Sequence, residues 1–323
     1  MRQGLVDSGT SADGAGGRVL AVPDPIRAAG LLRTPDESPA RGNAVRRAAL
    51  RGDVRRVHLG AYVGSDHWEE LDPAGRRQVQ VRAAVAAARS PVLVSHTSAA
   101  VLWGLPVVGA PDERVHLTFV GDSGGMSRGA ICRHVVAVPP AEEVVDGMRL
   151  TSVARTVADL GRTCGFLTGV VAGDAALRRG LVSLGQIRAE VAAADRGRGV
   201  RAARDVAAFV DGRSESPGES LSRVRIRELG LAPPTLQHVV TDARGFVGRV
   251  DFWWDEYGVI GEFDGRSKYG LDADTSTAAD RLWKEKVRED RLRATGAAVA
   301  RWTWAEAWAG APMASILRRA GVR

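Results

Sequence analysis

Cysteine is scarce in this chain: two residues, Cys132 and Cys164, in 323. Two cannot make a disulfide framework, nor a four-ligand zinc site without other donors. They read as buried thiols of a reducing compartment. Long apolar runs are also missing, and nothing approaches the roughly 20 apolar residues of a membrane span. Residues 1–20 carry Gly, Ser and Asp where a secretory signal needs an unbroken apolar stretch, so a cytoplasmic protein with no membrane partner is expected. Aromatics are 5% of the residues, and Trp (8) outnumbers Phe (6) and Tyr (3), mostly after position 250. A large charge of one sign is lacking too. Lys plus Arg is 45 and Asp plus Glu is 38, a net +7 with a pI near 10.2. That balance favours a polyanionic partner only weakly. What the chain does have is 45% apolar residues, enough for packed cores. Its length suits two or three domains of roughly 100–200 residues each.

Residues 1–22 are Gly/Ser/Asp-rich and aperiodic and read as a flexible leader. A different pattern occupies 23–65. Ile26, Ala29 and Leu32 lie at helical spacing within Pro25–Leu32, and a Thr-Pro-Asp-Glu-Ser-Pro turn follows at 34–39. Asn43–Arg51 then reads as a helix, stopped by Gly52 at a natural C′ position. Val54–Val63 alternates as a short hairpin. Helix, turn, basic helix and β-wing is the order of a winged helix-turn-helix, whose second helix enters the major groove while the wing touches phosphates. Arg46, Arg47, Arg51, Arg55 and Arg56 are therefore the candidate DNA-binding residues. The competing reading is a solvated charged helix followed by a hairpin.

The middle region, 66–195, predicts helices at Arg76–Arg89, Ser152–Gly161, Phe166–Arg178 and Ser183–Ala193, with strands at Pro91–Val94, Val115–Val120 and Ile131–Val138. A Gly-rich phosphate loop, a His-x-x-Glu-His run and a nucleophile elbow are all absent from it. Ser95 is placed to cap a helix running to Leu102, and His96 beside it reads as part of that capping cluster rather than as a catalyst. Three blocks carry a resemblance: Gly60-Ala-Tyr-Val63, Ser95-His-Thr-Ser-Ala-Ala-Val-Leu-Trp-Gly-Leu-Pro106 and Leu150-Thr-Ser-Val-Ala-Arg-Thr-Val-Ala-Asp-Leu160. They resemble the type IV (abortive-infection) antitoxin-like proteins of actinobacteria over about residues 24–190. The resemblance implies a winged-helix domain followed by an α/β domain, acting in transcriptional autoregulation or in neutralising a cognate toxin.

Gly212–Gly218 punctuates the chain, and 196–216 reads as a linker. Beyond it Glu219–Glu228 is helical, and Gln237–Thr241, Phe246–Trp254 and Val259–Asp264 are strands. Asp255–Gly258 joins the last two as a four-residue loop. If Trp254 pairs with Val259, Asp251 lies opposite Glu262, and alternation sends Glu262 and Asp264 to one face. Three carboxylates then converge, an arrangement that needs a reason because opposed like charges destabilise a sheet. A hard divalent cation such as Mg²⁺ supplies one, with Asp251, Glu262 and Asp264 as ligands and Glu219 as a fourth carboxylate from the preceding helix. Pairing with Arg249, Arg266 or Lys268 is the alternative. The helix Asp280–Arg293 carries a basic stripe of Arg281, Lys284, Arg288 and Arg291, suited to a phosphodiester strand or to solvent, and Ala298–Trp304 is a last strand.

This order, with Arg249-Val-Asp-Phe252, Gly261-Glu-Phe-Asp-Gly265, Arg288-Glu-Asp-Arg-Leu-Arg293, Gly296 and Arg301-Trp-Thr-Trp304, resembles PD-(D/E)xK nucleases over about 217–320. The branch it resembles is that of the very short patch repair endonucleases. The resemblance implies a restriction-endonuclease-like core with Asp251 and Glu262 as metal ligands and Glu219 as an auxiliary carboxylate. One departure touches catalysis directly: the motif lysine, two residues after the motif Glu, is here Asp264. Lys268 or Lys284 is left to steady developing charge. The expectation is a mixed α+β and α/β multidomain protein: winged helix at 23–65, antitoxin-like α/β domain at 66–195 and nuclease-like domain at 217–323. Two functions are carried forward, a Mg²⁺-dependent endonuclease and a non-catalytic DNA-binding regulator with a degenerate nuclease fold.

Overall fold

A computed structural model of the protein describes residues 31–33, 39–88, 91–109, 112–121, 127, 129–193, 197–265 and 278–323. Among them are twelve α-helices and three sheets, a mixed α+β architecture. The expected leader at 1–22, residues 25–30 of the expected first helix, the turn at 34–38, Arg266 and Lys268 lie outside the described residues.

The N-terminal unit runs β1 (Leu32–Arg33), α1 (Pro39–Arg51), β2 (Val54–His58), β3 (Ala61–Gly64), α2 (Ser65–Glu70) and α3 (Pro73–Ala87). Its strands are antiparallel in the order β1-β3-β2. Leu32, expected at the end of a helix, is instead a strand residue paired with Tyr62. Three apolar positions at helical spacing are too few to outweigh the backbone bonds offered by an open edge of β3. Gly52, at φ +90°, ends α1 as the sequence implied. A small core of Val63, Trp68 and Val79 holds the unit together.

The middle unit contains β4 (Leu93–Val94), α4 (His96–Leu102), β5 (Val115–Val120), β6 (Ile131–Val136), β7 (Glu142–Val145), β8 (Met148–Thr151), α5 (Val153–Thr163), α6 (Phe166–Arg178), α7 (Leu184–Ala193) and α8 (Val200–Phe209). Its sheet has the order β6-β5-β4-β8-β7, with β5/β6 and β4/β8 parallel. The Ser152 side chain accepts the Arg155 N–H and starts α5. Ser95 makes no such cap bond; its hydroxyl meets His96 Nδ1 at 3.0 Å. The span 196–216, read as a linker, contains α8, whose Ala203, Val206 and Ala207 are buried in the middle core. The irregular connection therefore shrinks to 210–216. Neither cysteine is buried: Cys132 is half-buried on β6, and Cys164 is exposed where α5 ends.

The C-terminal unit runs α9 (Pro217–Glu228), β9 (Thr235–Asp242), β10 (Gly245–Trp254), one 3-10 turn at Asp255–Tyr257, β11 (Val259–Asp264), α10 (Ala278–Ala294), β12 (Ala298–Thr303), α11 (Trp304–Ala309) and α12 (Ala311–Ala320). The sheet order is β12-β11-β10-β9, antiparallel except for the parallel β11/β12 pair. Trp254 pairs with Val259, the register read from the sequence. One face packs Phe252, Trp254, Phe263 and Trp302 against α9, α11 and α12; the other packs Val250 and Ile260 against Leu292 of α10. Helix α9 serves two cores, since Leu221 belongs to the C-terminal one and Val224 to the middle one. Arg223 of α9 reaches Asp174 of α6 at 2.6 Å, tying the two units through a buried ion pair.

Candidate functional site

The carboxylates of the C-terminal sheet divide into two groups, and the cause is local. Phe252 and Trp254 pack on the α9 side, whereas Val250, two residues earlier, packs with α10. Simple alternation would put all three on one face. Across on β9 the same break separates Leu236 from Val240, and Gln237 between them has φ +54°. The facing of the side chains thus changes at Asp251 and Gln237, although the β9–β10 register runs unbroken from Gly248–Val240 to Trp253–Thr235; a register shift lies further back, between Phe246 and Gly248. Asp251 consequently leaves the alternation, and its carboxylate accepts the Phe263 N–H at 2.9 Å.

Glu219, buried in the first turn of α9, sits within electrostatic reach of Asp251. It accepts the Glu215 N–H at 2.8 Å, the Ser216 hydroxyl at 2.8 Å and the Gln237 amide at 2.9 Å. Burial, and then the neighbouring Asp251 charge, push its carboxyl above the ordinary glutamate range. Glu262 is held on the other side. Its two oxygens take Arg288 Nη2 at 2.6 Å and Arg301 Nε at 2.9 Å, and Arg301 continues to Glu289 at 2.8 Å. Asp264 is exposed at the end of β11.

The expected set of Asp251, Glu262 and Asp264 is therefore not one site: among the described residues they form no group of ligand atoms within 4.8 Å. Mg²⁺ takes carboxylate oxygens, and here the Glu262 oxygens are neutralised by arginines while Asp251 is tied to the backbone. These residues do not fit the ion. Two residues of the basic stripe of α10, Arg288 and Arg291, are committed as well. Arg288 serves Glu262 and the Arg249 carbonyl, and Arg291 grips Asp242 through two bonds of 2.7 and 2.8 Å, holding that carboxyl down at about 2. The surroundings of Lys284 are outside the described residues. A sequence stripe of arginines cannot distinguish solvent or phosphate from internal acids; here Arg288 and Arg291 face acids.

The N-terminal arginines fare differently. Arg46, Arg47 and Arg51 on α1 and Arg55 and Arg56 on β2 are all exposed. Arg51 pairs with the adjacent Asp53 at 2.7 Å, and Arg55 stands 5.2 Å over the Trp68 ring. Leu50 is 89% exposed on the same helix.

Sequence reading passed over another cluster, in the middle unit. His116 of β5 pairs in register with Cys132 of β6, so alternation puts Cys132 and His134 on its face. His116 Nδ1 meets His134 Nε2 at 2.9 Å, and Cys132 Sγ lies 3.6 Å from the same atom. His96, at φ +52°, stacks on His134 with ring centroids 3.5 Å apart. Burial and the neighbouring imidazoles lower His96, and burial first of all lowers His116 to about 4 and depresses His134. All three rings are neutral near pH 7. The helix-capping interpretation of His96 hid this cluster; the signal available was the pattern Cys132-x-His134.

No family model matches the chain. Two uncharacterized proteins of Mycobacterium tuberculosis, one of strain CDC 1551 / Oshkosh and one of strain H37Rv, are 33% identical to it over 120 residues. The match covers 37% of this chain and 44% of each relative, so the chain spans under half the length of the proteins it resembles. Among the described residues no helix is long and apolar enough to cross a membrane.

Proposed function

We propose that this chain is a DNA-binding protein in which the 23–65 segment acts as a winged helix-turn-helix and the C-terminal core, restriction-endonuclease-like, acts as a binding platform rather than a catalyst. The carrying observation is the exposed arginine surface of α1 and β2, beside a three-stranded sheet of order β1-β3-β2. Helix α1 enters the major groove, and the β2–β3 hairpin follows the backbone. Transcriptional autoregulation with a cognate toxin as partner belongs to the same proposal and rests on the resemblance of the N-terminal blocks. Two features favour a platform over an enzyme: Asp264 occupies the motif-lysine position, and both Glu262 oxygens are held by arginines.

A metal-dependent endonuclease is the second reading, favoured by the helix–three strands–helix–strand order and by the Glu219–Asp251 pair. One set of measurements separates them. Binding to labelled promoter duplex, followed by anisotropy, should weaken at least tenfold in Arg46→Ala/Arg47→Ala and stay unchanged in Asp251→Ala. Supercoiled plasmid should stay intact with Mg²⁺ or Mn²⁺. Nicking by wild type that disappears in Asp251→Ala would replace the platform with the enzyme.

A further inference from the structure

We propose that the cleft between α3, α6 and α11 binds one small amphipathic molecule, an aliphatic body carrying a carboxylate or phosphate head. The cleft holds about 800 Å³, within the range of about 300–1,000 Å³ that small-molecule sites occupy. It lies where the three units meet, a common position for such sites. Helix α3 supplies Arg77 and Gln78, and the latter's amide donates to the Val101 carbonyl at 3.0 Å. The middle unit supplies the 104–109 segment and α6, α9 begins at the wall with Pro217, and α11 brings Trp304. The floor is apolar: Leu105, Val171 and Ala175 are buried beneath it, and Pro106 and Val107 line it as well. Covering such a surface is favourable, which calls for an apolar body. Among the described residues that line the cleft Trp304 is the only aromatic one, so a flexible aliphatic chain suits it better than a flat ring.

The head follows from charge. Arg77, Arg178 and Arg179 all line this cleft, and no Asp or Glu is among the described residues that line it. Arg77 donates to the Glu113 and Arg114 carbonyls, and Arg179 Nη1 to those of Trp103 and Gly104 at 3.1 and 2.9 Å. A carbonyl orients a guanidinium without cancelling its charge, unlike the carboxylates that take up Arg288 and Arg291. Arg178, exposed at the end of α6, has no ion pair or hydrogen bond among the described residues. Burial lowers the pKa of Arg77 and outweighs the opposing charges of Glu113 and Asp112, so one of the three cations is held at a desolvation cost. An anion among the guanidiniums offsets that cost, and their forked donors match carboxylate and phosphate oxygens. None of Arg46, Arg47, Arg51, Arg55 and Arg56 lines the cleft, so binding here is independent of the proposed DNA surface.

Titration calorimetry of the full chain with decanoate, decyl phosphate, decanol and acetate, each below its micelle concentration, tests the site. One decanoate or decyl phosphate per chain should bind saturably, and the tighter of the two identifies the head. Decanol lacks the charge and acetate lacks the body, so each should bind more weakly by about tenfold or more. Arg178→Glu should weaken binding of the anionic amphiphiles by about tenfold or more, whereas Arg178→Lys keeps the charge and should stay close to wild type. Ala74, exposed in the first turn of α3, also lines the cleft, and Ala74→Trp should obstruct it and reduce uptake. Absence of saturable uptake of both amphiphiles by wild type overturns the proposal. Decanol or acetate binding as tightly as the amphiphilic anions overturns it too, as does uptake unaltered in Arg178→Glu or in Ala74→Trp. Both substitutions fall at exposed positions, and circular dichroism should show the wild-type fold in each.

Discussion

Asp174 illustrates how one buried side chain sets a pH dependence. It accepts the Asp211 N–H at 2.7 Å and Arg223 Nη1 at 2.6 Å. Burial outweighs the pull of Arg223 and lifts its carboxyl to about 6, above the ordinary 3.8. A raised carboxyl means that the folded state favours the proton, so this contribution to stability is complete below pH 3.8 and is lost as pH rises through 6. Asp174→Asn is neutral throughout. Its stability relative to wild type should therefore improve by about 3 kcal/mol between roughly pH 4 and 7. Urea midpoints at the two pH values measure this, and a pH-independent difference would refute it. Glu262 makes a second case at this scale. Glu262→Gln removes the charge that faces Arg288 and Arg301 and should cost about 1–3 kcal/mol in thermal unfolding.

Among the elements, α9 and β11 depend on a contact that admits no side chain. A Cβ on Gly218 would lie 2.0 Å from Phe263 Cζ, so the first turn of α9 rests directly on the ring. Gly218→Ala must push α9 or Phe263 aside and should cost roughly 1–3 kcal/mol, by scanning calorimetry. A neutral result would mean that the ring has room to turn. The irregularity at Asp251 belongs to this scale as well. The pairing of Trp254 with Val259 was legible because a loop of four residues fixes register. The change of side-chain facing at Asp251 and Gln237 was not, since Val250, Phe252 and Trp254 keep an alternating apolar pattern straight through it. That change turned Asp251 to the Phe263 backbone and away from Glu262, which strict alternation would have placed beside it. Leu32 fails for another reason: strand β1 gets its backbone partners from Tyr62 and Ala61, 30 and 28 residues further along.

Across the whole molecule, α9 makes the middle and C-terminal units interdependent. Leu167 packs against both cores, Val224 sits in the middle one, and the Asp174–Arg223 pair crosses the seam. These two units should unfold in one calorimetric transition. An isolated fragment beginning at residue 212 should be less stable than the same residues in the full chain, because it exposes Val224 and strands Arg223 without Asp174. Two well-separated transitions in the full chain would argue against this. The proposed DNA binding also has a test at this scale. If Arg46 and Arg47 each neutralise one phosphate, removing both should lower the slope of log K against log salt by about 2. An unchanged slope places the binding surface elsewhere.

The sequence by itself determined most elements and their order. Apolar periodicity, Gly52 after α1, the loop before Val259 and the strand after α10 are local signals, and the chain follows them. It also determined which residues have chemistry to offer. Which of them meet was decided by tertiary structure. Glu262, Arg288 and Arg301 come together only when α10 lies across the sheet, so arginines that looked available for phosphate are spent on an internal acid. His96, His116 and His134 are joined only by the packing of α4 on the parallel β5–β6 pair. Cys132, one of the two scarce cysteines, comes beside His134 in the same way, its Sγ 3.6 Å from Nε2. Long-range proximity has no one-dimensional signature, because burial and electrostatics act between residues that the chain itself keeps far apart.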